Sequence, residues 1–184
     1  MLTSKADLKQ LVRTRKLVRE QAETSYEDPE DFIFFCYIAK NPQSYGSLLE
    51  KRIREKNGMI KVEASQEKGD AVDVDGNFKE IKCSISDCGV FNAVQIRPHH
   101  NIHSCLLFFF EIDDSTNVVN HFFEVPEKDV LTFPGISIAH GVKANKNSKS
   151  EYRITFDKNK KKSDTVAGRA WNELQKYKIS NKIF

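Results

Sequence analysis

Several features that would place this chain in a specialised class are scarce or missing. The sequence has only 4 cysteines among 184 residues, too few for the disulfide framework of a small secreted domain. The apolar run Leu106–Phe110 ends at Glu111, well short of the roughly 18 apolar residues of a membrane span. The first seven residues contain no apolar stretch of the kind that a signal peptide carries. These absences predict a reduced, cytosolic protein.

Nothing in the sequence divides it into separate parts. There is no internal repeat, Pro-rich linker or Gly/Ser tract, and 184 residues is a typical length for one domain. Apolar residues make up 39% of the chain and charged residues 30%, which is a globular composition. We therefore expect a single domain over 1–184, with a helical part at 1–57, a sheet core at 59–156 and a helical C-terminal part at 164–184.

The charge is small overall but unevenly distributed. The formal net charge is +3, yet residues 141–184 contain 12 Lys or Arg against 4 Asp or Glu. The densest basic run ends in Lys160, Lys161 and Lys162. A basic segment on a body of opposite net charge favours a polyanionic partner, nucleic acid first, and a solvated loop is the alternative.

The first third of the chain is expected to be helical, because Leu and Val recur at near-helical spacing over 8–18. A second helix is predicted over Pro29–Ala39, followed by an interruption at Asn41-Pro42. Ser44 is a plausible cap for a third helix over Leu48–Lys56. The second helix is expected to face the core with Phe32, Phe35, Cys36 and Ile38.

The middle of the chain changes to strand character, and a last helix is predicted from about Asp164 to Tyr177. The predicted strands are Ile60–Ala64, Ala71–Val74, Phe78–Ile85, Ala93–Ile96, Cys105–Ile112, Val118–Val125, Ile136–Val142 and Tyr152–Phe156, with a helical turn at Glu127–Thr132. Helices before and after a sheet predict an α/β (α+β) domain, in which a mixed central β-sheet is flanked by helices.

One segment, 69–82, contains the residues most suited to chemistry. Side chains alternate along a strand, so Glu80 and Lys82 should emerge on one face while Ile81 points into the core. Asp70 opens the preceding strand and brings a second carboxylate to the same place. Mg²⁺ prefers one or two carboxylates and keeps several waters, and an adjacent lysine can position such a water or help deprotonate it. The alternative is an ordinary charged hairpin with solvated side chains.

Asp70 followed by Glu80-Ile81-Lys82 resembles the PD-(D/E)xK nuclease motif. The resemblance covers about residues 45–112, and the chain has glycine where the motif has proline. It implies a restriction-endonuclease-like fold, Mg²⁺ held by Asp70, Glu80 and the carbonyl of Ile81, and Lys82 serving the attacking water. Glu50 stands where some members supply an extra acidic residue, so the resemblance implies a fourth catalytic group.

The segment 91–101 is similar to the stretch that follows the E-x-K strand in small cleavage modules of type IIS restriction endonucleases. Gln95, Arg97 and His99 are the polar groups predicted to face a DNA phosphate. The alternative is that Gln95 and Arg97 make structural hydrogen bonds and that the histidines lie on the surface. The sequence does not assign roles to His100 and His103.

Two further groups of residues invite a functional interpretation. Cys83, Cys88, His99 and His103 are loosely spaced for zinc, but they lack a tight C-x₂-C pair, and Cys83 should face inward; we do not expect zinc. Ser137 and His140-Gly141 lie near a predicted strand end and could contact a phosphate, while a loop role is equally compatible.

The chain has no helix-turn-helix, zinc finger or other base-reading module. Its pattern is most similar to the small catalytic subunit of a heterodimeric type IIS restriction (nicking) endonuclease, a cytoplasmic bacterial protein. In such systems a large subunit recognises double-stranded DNA and nicks one strand, while the small subunit cuts the other. The alternatives are a self-sufficient homodimeric restriction or repair nuclease, and a non-catalytic nucleic-acid-binding subunit with a surface ion-pair group.

Strand parity gives a geometric test of the motif. If Asp75-Gly76 were a two-residue loop, Asp70 would pair with Ile81 and face the core, away from Glu80. An odd loop restores the site, because either Val74–Gly76 or 75–77 as the loop places Asp70 on the face of Glu80. We therefore predict a three-residue loop or an equivalent bulge.

Overall fold

A computed structural model describes residues 4–20, 26–63, 66–97, 99–139, 150–159 and 163–180. The chain forms two compact units, Met1–Ser47 and Leu48–Phe184. The helices are α1 (Lys5–Glu20), α2 (Pro29–Ala39), α3 (Pro42–Lys56), α4 (Glu127–Val130) and α5 (Val166–Leu174). The strands are β1 (Ile60–Lys61), β2 (Ala71–Val72), β3 (Phe78–Ser86), β4 (Val90–Ile96), β5 (Ser104–Ile112), β6 (Val118–Pro126), β7 (Ser137–Ile138) and β8 (Tyr152–Asp157).

Helix α2 begins at a strong start signal. Asp28 caps it by accepting hydrogen bonds from the N–H groups of Glu30 and Asp31, and proline follows at the first helical position. Most of the predicted inward residues are buried, but Ile38 is 41% exposed, and the prediction for it was wrong. The buried side of α2 consists of Phe32, Ile33, Phe35, Cys36 and Ala39.

Helix α1 buries none of its side chains. Arg15 and Arg19 join it to α2 by donating to the C-terminal carbonyls of Ile38 and Ala39, each at 2.9 Å. Four of the five apolar residues that predicted this helix are exposed by half or more, Leu8, Leu11, Val12 and Leu17, while Val18 is partly buried.

Helix α3 starts six residues before the predicted start, and Ser44 is not its cap. Asn41 Oδ1 accepts a hydrogen bond from Ser44 N at 2.9 Å, which is the bond that a cap residue makes to the first turn. Proline is well tolerated at the first helical position, since its missing N–H has no partner there. The pair Asn41-Pro42 therefore begins the helix.

The main sheet has the order β1-β2-β3-β5-β6. Strands β3 and β5 are parallel and all the other pairs are antiparallel, so the predicted mixed sheet and the mixed α/β class are confirmed. All nine residues of β5 are buried, as expected for a strand covered on both faces.

A second sheet, with the order β4-β8-β7, was not predicted. Its inner face and α5 form a core with one face of the main sheet, which contributes Cys105, Leu107 and Phe109. Glu80 pairs with Cys105 and Lys82 with Leu107, so these two polar residues belong to the covered face. The two side chains share one face of β3, as the alternation predicted, and because that face is covered they are not the solvated pair of the charged-hairpin alternative.

Several element bounds differ from the predicted ones. Strand β1 ends at Lys61 instead of Ala64, which lies outside the described residues, and β4 begins three residues early. Helix α5 continues as a 3₁₀ turn to Tyr177, after which Lys178 bridges to Phe123 in an antiparallel sense. Only the first part of the strand predicted over 136–142 is described, as β7. No helix within the described ranges is long and apolar enough to cross a membrane.

Candidate active site

The β2–β3 hairpin closes through a three-residue loop, Val74–Gly76. Asp73 N donates to Asn77 O at 3.0 Å, and Gly76 N donates to Asp73 O at 3.1 Å. Asp73 Oδ1 also accepts from the N–H groups of Asp75 and Asn77, which fixes the turn. Gly76 has φ of 83°, the left-handed conformation that a loop of this length needs at its last position. The predicted three-residue loop is confirmed, in its Val74–Gly76 form.

This loop sets the register that unites the candidate site. Val72 pairs with Phe78 and Ala71 with Lys79, and continuing this register by one position sets Asp70 opposite Glu80, which agrees with the contact of both carboxylates with Lys82. Opposed residues share a face, and Lys82 lies on that face two residues further along β3. The predicted placement of the three side chains on one face is therefore what the structure shows.

A glycine turn brings Asp70 into place. Gly69 has φ of 81°, and a Cβ atom there would lie only 2.6 Å from the carbonyl oxygen of Lys79. This close approach lets Asp70 N donate to the same oxygen at 2.8 Å. The side chain of Asp70 then accepts the N–H of Ile81 at 2.8 Å through Oδ2.

Lys82 lies between the two carboxylates. Its Nζ is 2.7 Å from Glu80 Oε1 and 3.3 Å from Asp70 Oδ2. Burial lowers the pKa of Lys82, but the charges of Asp70 and Glu80 outweigh that effect and leave the pKa above its ordinary value. Lys82 is therefore a cation at neutral pH, suited to orienting water and stabilising negative charge.

Glu80 is completely buried and only partly compensated. Its exposed fraction is 0%; Oε1 faces the Lys82 ammonium at 2.7 Å, and Oε2 has no hydrogen-bond partner among the described residues. Burial raises the pKa of Glu80, while the cation of Lys82 opposes the rise. Buried polar atoms normally have hydrogen-bond partners, so the unpaired Oε2 marks a place where a further positive group would be stabilising.

Glu50, on α3, belongs to the same electrostatic cluster. Burial raises its pKa from 4.5 to about 7, and the negative charge of Asp70 adds to the rise. Its nearest described cation is Arg54, one turn along α3, with 4.0 Å between the charged atoms. The pKa of Glu50 therefore lies close to neutral pH.

His100 joins the site, although sequence reasoning left its role open. Its Nδ1 accepts a hydrogen bond from Gly69 N at 3.3 Å and lies 3.6 Å from Glu80 Oε2. Burial, with the charge of Arg97, lowers the pKa of His100. A neutral ring whose Nδ1 accepts a bond carries its proton on Nε2. No local signal singles this residue out, because it reaches the site from 31 positions away.

Gln95, Arg97 and His99, which were predicted to contact nucleic acid, lie in three different surroundings. Gln95 is exposed, with φ of 56°, inside an irregular part of β4. Arg97 comes directly after β4 and pairs with Glu151: the Nε of Arg97 donates to Glu151 Oε1 at 2.8 Å. His99 stacks edge-on against His100, and its buried Nδ1 has no hydrogen-bond partner among the described residues.

The other candidate residues add nothing to this cluster. Ser137 accepts a hydrogen bond from Arg153 at 3.3 Å and lies on an exposed strand. His103 is exposed. The basic residues Lys160, Lys161 and Lys162, and His140-Gly141, lie outside the described residues.

The donor set fits Mg²⁺ and does not fit a metal that needs many protein ligands. The carboxylates of Asp70 and Glu80 both lie within ion-pair distance of Lys82 Nζ, and Oε2 of Glu80 has no hydrogen-bond partner among the described residues. Mg²⁺ takes one or two carboxylates and completes its shell with water. Within the described ranges no group of three or more His, Cys, Asp or Glu side chains is arranged to hold a metal ion. The carbonyl of Ile81 as a ligand stays a prediction.

No protein-family model matches the chain, and a search of curated proteins gives no match. Any functional assignment therefore rests on the residues and their geometry.

Proposed function

We propose that this chain is a Mg²⁺-dependent endonuclease that hydrolyses DNA phosphodiester bonds at Asp70, Glu80 and Lys82. The observation that carries the proposal is the fully buried Glu80 carboxylate, whose Oε2 has no hydrogen-bond donor among the described residues and which shares the Lys82 ammonium with a second carboxylate, Asp70. A buried charge of this kind is costly to keep in a purely structural role. A divalent cation offsets that cost and supplies the chemistry.

Asp70 and Glu80 would hold the metal, which when bound lowers the pKa of a coordinated water and offsets charge on the phosphate. In hydrolysis the water oxygen bonds to phosphorus, one bond from phosphorus to a deoxyribose oxygen breaks, and a proton moves from the water to the departing oxygen. Lys82, as a cation, orients the water and stabilises the added negative charge. Glu50, with a pKa of about 7, is suited to accept the proton of the water.

The proposal also covers the form of the DNA substrate and the protein partner. We infer cleavage of one strand of a duplex, as the small subunit of a type IIS restriction endonuclease whose large subunit recognises the site. A protein partner is supported by the exposed Leu8, Leu11, Val12 and Leu17 of α1. DNA binding is supported by the basic excess of residues 141–184.

A non-catalytic binding subunit is the competing candidate. The observation that favours it is that Lys82 already lies at ion-pair distance from both carboxylates. The group is not the surface ion-pair cluster that this alternative assumed, since Glu80 is 0% exposed.

A nicking assay on supercoiled plasmid with Mg²⁺ tests the proposal, with and without the protein encoded next to this chain. Glu80→Gln and Asp70→Asn keep the side-chain shapes and should abolish nicking. Glu55→Gln is the matched control, because that carboxylate is 66% exposed and pairs only weakly with Lys51. No Mg²⁺-dependent nicking in either condition favours the binding subunit. Efficient site-specific cleavage by the chain alone favours the homodimeric nuclease.

A further inference from the structure

Strand β4 has a β-bulge, that is, one residue more than the matching stretch of its partner strand β8. Ala93 pairs with Ile154 but Ile96 pairs with Tyr152, so three steps along β4 match two steps along β8. Gln95 lies in this bulge with φ of 56°. A non-glycine residue in the left-handed region costs about 1–2 kcal/mol, and bulges are found next to active sites, where they re-aim a side chain.

The bulge decides which residue faces Arg97. Beyond it, the pairing of Ile96 with Tyr152 sets Arg97 opposite Glu151. Without the extra residue Arg97 would oppose Ser150 and would point to the other face of the strand. The pair that results is well formed, because Arg97 Nε donates to Glu151 Oε1 at 2.8 Å. Both side chains are about 30% exposed, 29% for Arg97 and 31% for Glu151.

The same arginine is linked to the carboxylate cluster. His100 N donates to Arg97 O at 3.0 Å, and the ring of His100 accepts the N–H of Gly69 beside Asp70. Burial lowers the pKa of Arg97, but Glu151 outweighs it, and the charges of Glu80 and Asp70 raise the pKa further. Arg97 therefore lies within electrostatic reach of both carboxylates.

We propose that Glu151 is a positioning residue, which holds Arg97 through Nε and leaves its terminal nitrogens for a DNA phosphate beside Asp70. A guanidinium has five N–H donors in a rigid fork, so it can serve one carboxylate and one phosphate oxygen at the same time. This inference rests on the proposed nuclease function.

The test separates rate from binding in the full-length chain. Cleavage is measured as a single-turnover rate at saturating DNA with Mg²⁺, and binding as fluorescence anisotropy of a labelled duplex with Ca²⁺. Glu151→Ala should slow cleavage about tenfold, because Arg97 is then free to move away from its productive position. It should not weaken DNA binding, because it removes a negative charge near the phosphate. Glu151→Gln keeps the acceptor oxygen and should stay within about threefold of the wild-type rate.

The double variant shows whether the two residues act together. Arg97→Ala should slow cleavage about a hundredfold, and adding Glu151→Ala should slow it no further, because the two act as one unit. Arg153→Ala is the control, since it removes a cation two residues from Glu151 at an exposed position. Thermal unfolding of each variant verifies that the proteins are folded.

Two results would overturn the inference while the nuclease proposal stands. One is an active wild-type protein whose Glu151→Ala variant cuts at the wild-type rate. The other is a double variant whose loss is the product of the two single losses. A wild-type protein without Mg²⁺-dependent cleavage, alone and with its neighbour, removes the proposed function and this inference with it.

Discussion

Lys82 and Glu80 form an ion pair whose acidic partner is entirely withdrawn from water. Lys82 Nζ lies 2.7 Å from Glu80 Oε1, and the exposed fraction of Glu80 is 0%. The energy of such a pair depends on both members being present, because removing one leaves an uncompensated charge in a medium of low polarity. Alanine substitution at either position therefore tests folding as well as activity.

Removing one charge of this pair should destabilise the protein strongly, whereas removing both charges should destabilise it much less. Lys82→Met alone should lower the free energy of unfolding by about 3–5 kcal/mol. Combining it with Glu80→Gln should restore most of that loss, as urea denaturation at pH 7 will show. The exposed pair of Lys51 and Glu55 is the control, for which Lys51→Met should cost at most about 0.5 kcal/mol. A double variant no more stable than Lys82→Met would contradict the pairing.

Mg²⁺ should stabilise the folded chain against heat. Because Oε2 of Glu80 has no hydrogen-bond donor among the described residues, a bound cation adds binding energy that only the native state gains. At a concentration one hundred times the dissociation constant the gain is about 2.7 kcal/mol, visible in a thermal scan with NaCl at matched ionic strength as reference. Glu80→Gln should remove the Mg²⁺-dependent shift. An equal shift in that variant would place the metal elsewhere.

Glu50 should make the chain less stable as pH rises from about 4.5 to 7. Burial raises the pKa of Glu50 from 4.5 to about 7, so across this window the native state holds a proton that the unfolded chain has released. The stabilisation is complete below pH 4.5 and is lost as pH passes 7. Since a quarter of the side chain is exposed, we expect about 2 kcal/mol.

The check on this window is Glu50→Gln, compared with wild type by urea denaturation in EDTA at several pH values. The variant should gain stability relative to wild type as pH rises through the window, while the contribution of Glu80 stays in both proteins. Glu55→Gln supplies the matched exposed control. Parallel curves for wild type and Glu50→Gln would rule out the raised pKa.

Gly69 should tolerate no side chain. Its φ is 81°, and a Cβ atom at this position would lie 2.6 Å from the carbonyl oxygen of Lys79, so both the backbone conformation and the available space exclude alanine. Gly69→Ala should cost roughly 2 kcal/mol and should shift Asp70, so that nicking falls with stability. Gly46→Ala, in α3 with nothing within 4 Å, should instead stabilise by about 0.5–1 kcal/mol. Wild-type stability and activity in Gly69→Ala would show that the turn is not needed.

The β5–β6 hairpin repeats the turn of the β2–β3 hairpin with a less suitable residue. Thr116 has φ of 62° at the position where the first turn has glycine. Thr116→Gly should therefore raise the free energy of unfolding by about 1 kcal/mol. Ser115→Gly, in the same loop without positive φ, should lower it slightly. Thermal denaturation of the two variants side by side compares them, and a loss in Thr116→Gly would contradict the strain.

The parts of the site that lie close together in the chain could be predicted from the sequence. Asp70, Glu80 and Lys82 are separated by one hairpin, and parity allows only an odd loop if they are to share a face. The Val74–Gly76 loop meets that condition. Local signals were less reliable where two interpretations competed. Asn41-Pro42 was interpreted as a break between two helices, but it is the start of α3.

The sequence by itself determined the mixed α/β class, the hairpin and the alternation of polar and apolar residues along β3, because these follow from local periodicity and turn chemistry. Only the tertiary structure decided that the second sheet covers Glu80, that His100 reaches Gly69, and that a bulge sets Arg97 opposite Glu151. Residues 31 and 54 positions apart are joined there. The physical reason is that such contacts depend on how strands pair and sheets pack, which no short window of sequence encodes.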